Sequence, residues 1–123
     1  MTYLSGENLV AGYGGADILH GCSIDVGEGE IAVIVGPNGS GKSTAMKAIF
    51  GMLKLKSGNV KIKGEDITSL SVFERVKKGM AFVPQTNNVF KSLTVEENLE
   101  MGAFLQQDDF SSTMEDVYAL FPV

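Results

Sequence analysis

The chain has 123 residues, 44% of them hydrophobic, enough for one domain with a core. Its formal charge of -5 argues against a nucleic-acid backbone as the main partner. No apolar run approaches the length of a membrane span, and residues 1–10 lack both the basic start and the apolar centre of a signal peptide, so a soluble, intracellular protein is expected.

Tyr3 to Ala11 and Ile18 to Val26 alternate as strands, separated by a turn of Gly12, Tyr13, Gly14, Gly15 and Asp17. Tyr13 taken alone reads as a surface tyrosine. Its ring, on a glycine-flanked turn, also offers a face on which a purine stacks for about 1 to 3 kcal/mol. His20 reads as an ordinary strand residue. Cys22, the single cysteine, has no internal disulfide partner and reads as a small buried thiol.

A second turn, Gly27-Glu28-Gly29, leads into Ile31, Ala32, Val33, Ile34 and Val35. Five uncharged residues in a row predict a parallel strand buried on both faces. Gly36-Pro37-Asn38-Gly39-Ser40-Gly41-Lys42-Ser43-Thr44 follows, and then an apolar-faced helix over Lys42 to Leu53. Strand, glycine loop and helix in that order, with Gly36, Gly41, Lys42 and Ser43 matching G-x-x-x-x-G-K-[ST], predict backbone N–H groups wrapped around a nucleotide's phosphates. Gly39 and Gly41 remove the side chains that would block so tight a curl. The helix turns its positive end to the anion, Lys42 reaches the β- and γ-phosphates, and the Ser43 hydroxyl ligates Mg²⁺. Thr44 adds a hydroxyl or backbone contact to the α-phosphate.

Beyond the helix, Ser57-Gly58 turns the chain into a half-exposed strand, Asn59 to Lys63, and Gly64-Glu65-Asp66 forms a turn. Val72 to Lys78 reads as a short helix stopped by Gly79. Met80 to Val83 reads as a second buried strand, ended by Pro84, which lacks a ladder N–H. Gln85 stands just past that strand, where such sheets hold ligands. Thr94 to Leu105 reads as a helix opened by a capping box of Thr94 and Glu97 and broken by Gln106 to Asp109. Ser112 or Thr113 is expected to cap a last helix through Leu120.

Tyr13, the loop from Gly36 to Thr44, and Gln85 stand in an order that resembles the ATP-binding subunit of ABC transporters. The resemblance implies an α/β P-loop NTPase core with an N-terminal antiparallel β section and the start of a helical subdomain. It implies one partial domain: a nucleotide-binding core over 1–85, then the Q-loop and helical segment over 86–123. It makes Tyr13 the adenine platform, Gly36 to Thr44 the Walker A loop, and Gln85 the residue that reaches Mg²⁺ and the attacking water. ATP and Mg²⁺ are the implied ligands. A second ATPase subunit and transmembrane permease subunits are the implied partners, at the cytoplasmic face of the cell membrane. The stretch from Phe82 through Phe104, with Ala11-Gly-Tyr-Gly-Gly15, looks most like subunits for branched-chain amino acid uptake.

Three parts of the family pattern do not occur. There is no LSGGQ-type signature after the glutamine, no apolar strand ending in Asp-Glu, and no switch histidine. Leu4-Ser-Gly-Glu-Asn8 precedes the phosphate loop and is a coincidence. Glu65-Asp66 and Asp108-Asp109 read as solvated turns. The expectation is an N-terminal portion that binds Mg-ATP weakly and does not hydrolyse it. A sheet without its Walker B strand also has an open apolar edge, which favours association. Val89, Phe90 and Leu93, in the loop past Gln85, suit a docking groove for a permease helix, or fold back on the helical subdomain. A stand-alone regulatory nucleotide-binding module is the alternative. A small P-loop kinase fits poorly, since Arg75 is the only arginine.

Overall fold

The computed structural model describes residues 2–104 and 108–122, which fall into two compact units, residues 1–82 and residues 83–123. The first unit is built on a four-stranded antiparallel sheet. Strand β1 (Thr2–Gly12) lies between β2 (Asp17–Gly27) and β3 (Ser57–Ile62), and β3 pairs with the two-residue β4 (Glu65–Asp66), giving the order β2-β1-β3-β4. Both long strands alternate as expected, and the inward positions of β1, β2 and β3 include Leu9, Ala11, Leu19, Val60 and Ile62. The β1–β2 pair loses its register near Asn8, which takes a positive φ of 51°. Its N–H is received by the Ser23 hydroxyl at 2.9 Å, so the irregularity leaves no orphaned donor.

Helix α1 (Lys42–Phe50) covers this sheet through Ala45, Ala48 and Ile49, all in the core. It ends three residues before the expected Leu53. Gly51 adopts φ 92° and donates its N–H to the Ala48 carbonyl, while the Met52 N–H reaches Lys47, so the left-handed glycine closes the helix although apolar spacing continues. The expected Gly64-Glu65-Asp66 turn is also corrected. The turn is Lys63-Gly64, with φ 50° and 80°, the left-handed pair that a two-residue hairpin needs, and Glu65 and Asp66 are already in β4. Asp66 accepts from the Thr68 hydroxyl at 2.6 Å and the Thr68 N–H at 2.9 Å, which lowers its carboxyl pKa below the usual value of 3.8.

Helix α2 (Val72–Lys77) starts on a complete capping box between Ser71 and Glu74 and stops before Gly79, which sits at φ 99°.

The larger correction concerns the two runs expected as buried parallel strands. Residues 31–35 and 80–83 belong to no strand, and Ile31 is 93% exposed and Val35 83%. A strand hidden on both faces needs ladder partners along its edges, and no other described strand pairs with either run. Ala32, Ile34, Met80, Ala81 and Phe82, with Met46 and Phe50, border a hollow of about 190 Å³. We expect the 123-residue chain to self-associate as its concentration rises, because an unpaired apolar run is a template for other chains. Sedimentation velocity checks this; a single monomeric species across the concentration series would refute it.

In the second unit, α3 (Val95–Gly102) begins at Thr94, whose hydroxyl accepts the Glu97 N–H at 3.1 Å, so half of the predicted capping box is present and no return bond from the Thr94 N–H to the Glu97 carboxylate completes it. Helix α4 (Ser111–Leu120) follows, but neither Ser112 nor Thr113 caps it. The Asp109 carboxylate receives the Ser111 N–H and hydroxyl instead, and these bonds lower its pKa from 3.8. The expected continuation of α3 to Leu105 stops short: Ala103, at φ -100°, ends the helix and Phe104 lies in the turn after it, while Leu105 and the break at Gln106–Gln107 lie outside the described residues.

Candidate functional site

The loop from Gly36 to Gly41 feeds α1 and stands open to solvent at Gly36 to Ser40. Gly39 and Gly41 take φ values of 85° and 95°, and Gly41 is the residue before the first helical turn. Only glycine holds those angles cheaply. The Ser40 N–H closes a turn on the Pro37 carbonyl at 3.2 Å, and residues Pro37 to Thr44 line a hollow of about 180 Å³. The first-turn N–H groups of a helix have no intrahelical partner, so those of α1 face this hollow as donors at the positive end of the dipole. No acidic residue occupies that turn to compete for them. Lys42 folds over the loop, donating from Nζ to the Gly36 carbonyl and to that of Pro37 at 3.1 Å. Donors, a cation and a concave backbone form a cradle for a multiply charged oxyanion such as a nucleotide's phosphates.

Tyr13 belongs to the same place. Its hydroxyl lies 3.3 Å from Oγ1 of Thr44, which is buried on α1, and the Lys47 ammonium stands 5.9 Å from its ring centroid. The ring remains 57% exposed, so an aromatic face stays available beside the phosphate cradle. Ser43, on the first turn of α1, is exposed. Gln85 belongs to the second unit, where it is exposed just after Pro84.

Two residues that the sequence did not flag organise these parts. Arg75, on α2, is 3% exposed and caps the far end of α1: Nη1 donates to the carbonyls of Ile49 at 2.7 Å and Ala48 at 3.4 Å. Its remaining donors go to Leu70 and Thr68 carbonyls at 3.1 and 2.9 Å. A cation at a helix C-terminus is favoured by the dipole, although burial lowers the guanidinium pKa from its ordinary value.

In the second unit, Asn98 ties the loop before α3. Oδ1 accepts the Phe90 N–H at 2.7 Å, and Nδ2 donates to the carbonyls of Thr94 and Phe90 at 2.8 and 3.1 Å. Val89 and Phe90 are held outward, more than half exposed.

Residues 19–121 match the family described as ABC transporter. The chain belongs to this family as an ATP-binding domain. It is 44% identical over 115 residues to a probable branched-chain amino acid transport ATP-binding protein, LivF, of Archaeoglobus fulgidus, covering 93% of this chain and 49% of that one. It is 39% identical over 120 residues to the high-affinity branched-chain amino acid transport ATP-binding protein BraG of Pseudomonas aeruginosa, covering 97% and 52%. Lipopolysaccharide export ATP-binding proteins also match, at 33% over 116 residues in Escherichia coli, covering 94% and 48%. Among solved structures, the ADP conformation of an ATP-binding cassette of an ABC transporter superposes with a TM-score of 0.76 at 38% identity, covering 89% of this chain and 43% of that one. The chain thus spans about half the length of the curated relatives it matches.

Proposed function

We propose that the chain supplies the nucleotide-gripping part of an ABC transporter ATPase that powers solute import, with branched-chain amino acids as the solute. The observation that carries the nucleotide part is the glycine-shaped hollow at the head of α1, with Lys42 beside it and the Tyr13 ring at its margin. The loop Gly36 to Thr44 wraps the phosphates of ATP, Lys42 neutralises the outer ones, and Tyr13 takes the adenine. The Ser43 hydroxyl would hold Mg²⁺, which would offset phosphate charge. The solute part is supported by the identity to LivF and BraG. The weaker match to lipopolysaccharide export proteins supports only the broader reading of a transport ATPase.

No Asp-Glu follows an apolar run in this sequence, and no LSGGQ-type signature follows Gln85. Water therefore lacks a general base here, and we expect the isolated chain to bind Mg-ATP without steady hydrolysis. Isothermal titration with a coupled phosphate assay tests both halves. Absence of ATP binding defeats the reading, and so does turnover that Lys42→Ala abolishes.

The partners proposed are a second ATPase subunit and permease subunits at the cytoplasmic face of the membrane. No helix among the described residues is long and apolar enough to cross a membrane. The loop that Asn98 ties down, with Val89 and Phe90 outward, supports permease docking. In the longer protein, Phe90→Asp is expected to lower transport at least tenfold while leaving ATP affinity within twofold, because a charge replaces an apolar anchor. Vesicle uptake and nucleotide titration, run side by side, check this.

A further inference from the structure

We infer that Lys47 is a positioning residue for the base platform: together with Thr44 it sets the Tyr13 ring against α1, so that a purine meets a preset aromatic face. The inference rests on the nucleotide site proposed above and assigns a role within it. Tyr13 sits on a turn that includes Gly12, Gly14 at φ 96° and Gly15, a backbone that by itself does little to fix the ring. Two side chains of α1 do fix it. Thr44 holds the phenol oxygen at 3.3 Å, and Lys47, three residues further along on the same side of the helix, places its ammonium 5.9 Å from the ring centroid. That is within the distance of about 6 Å at which a cation is attracted to an aromatic face.

Lys47 is outside the phosphate hollow, whose lining ends at Thr44, and takes part in none of the ion pairs among the described residues. Its ammonium stands over the ring, and the residue is half-buried. A ring ordered before the ligand arrives loses less freedom when a base stacks on it, so base affinity rises through reduced ordering cost. Lys47 thereby acts on the adenine and not on the phosphates.

The test compares ATP with inorganic tripolyphosphate, each with Mg²⁺, on the 123-residue chain by titration calorimetry. Lys47→Gln is expected to weaken ATP about two- to five-fold, the size of an exposed cation–aromatic contact, and to leave tripolyphosphate within about twofold. Lys47→Arg is expected to retain wild-type ATP affinity. Tyr13→Phe, which keeps the ring and cuts its tie to Thr44, is expected to weaken ATP in the same selective way. Retained tripolyphosphate binding also shows that each variant is folded. Equal weakening of both ligands by Lys47→Gln, or no change in either, overturns the inference and leaves the nucleotide site standing. A wild-type chain that binds neither ligand overturns the nucleotide-site reading and this inference with it.

Discussion

Replacing Lys42 with alanine is expected to lower ATP affinity roughly 10- to 150-fold, the loss of charge-assisted hydrogen bonds worth about 1.5 to 3 kcal/mol. Fold stability should barely move. The Gly36 and Pro37 carbonyls that Lys42 contacts are exposed, so water replaces the ammonium there and the change stays within about 0.5 kcal/mol. A thermal melt and a titration on the same sample separate the two effects. Near-wild-type ATP binding by Lys42→Ala would mean that the cradle grips through backbone alone, and the assigned role of the lysine would be wrong.

Arg75→Met is expected to have the reverse profile, a stability loss of about 2 to 4 kcal/mol with the loop's chemistry untouched. Two effects compete. Removing a buried guanidinium relieves a desolvation cost of several kcal/mol, which in some proteins makes an apolar replacement neutral. Here the guanidinium's partners are four backbone carbonyls, two of them at the end of α1; Ala48 keeps the Gly51 N–H, but no methionine can satisfy the other three. The orphaned acceptors decide the sign. Arg75→Lys should recover only part of the loss, since a compact ammonium does not span the same fork of oxygens. Denaturant melts check both; a midpoint for Arg75→Met equal to wild type would show that α1 needs no cap.

What the sequence disclosed follows from what is local. The phosphate loop was legible because its curl demands glycine at fixed positions, and Gly39 and Gly41 adopt the left-handed angles the motif requires. The two long strands and β3 were legible from alternation, and the α3 cap from Thr94 and Glu97. The Ser71-to-Glu74 capping box carries the same signature ahead of α2. Residues 31–35 and 80–83 misled because an apolar run records a preference for burial and says nothing of which strand would bury it. Arg75 was invisible for a related reason. Its partners at Ala48 and Ile49 lie 27 and 26 residues away, and no spacing rule links a lone arginine to a helix end at that separation. Asn98 acts closer by, yet a carboxamide inside a helix gives no sign that it will bond backward to the loop ahead of it.

The grip of Lys42 on its own loop has a thermodynamic corollary. The protein carries an internal competitor for the very cation that an incoming phosphate needs, so capture is an exchange of oxygens around one ammonium. The net affinity is the pull of the phosphates less that weak, exposed tie, and it keeps the salt dependence of a full ammonium charge, because the carbonyls left behind are neutral.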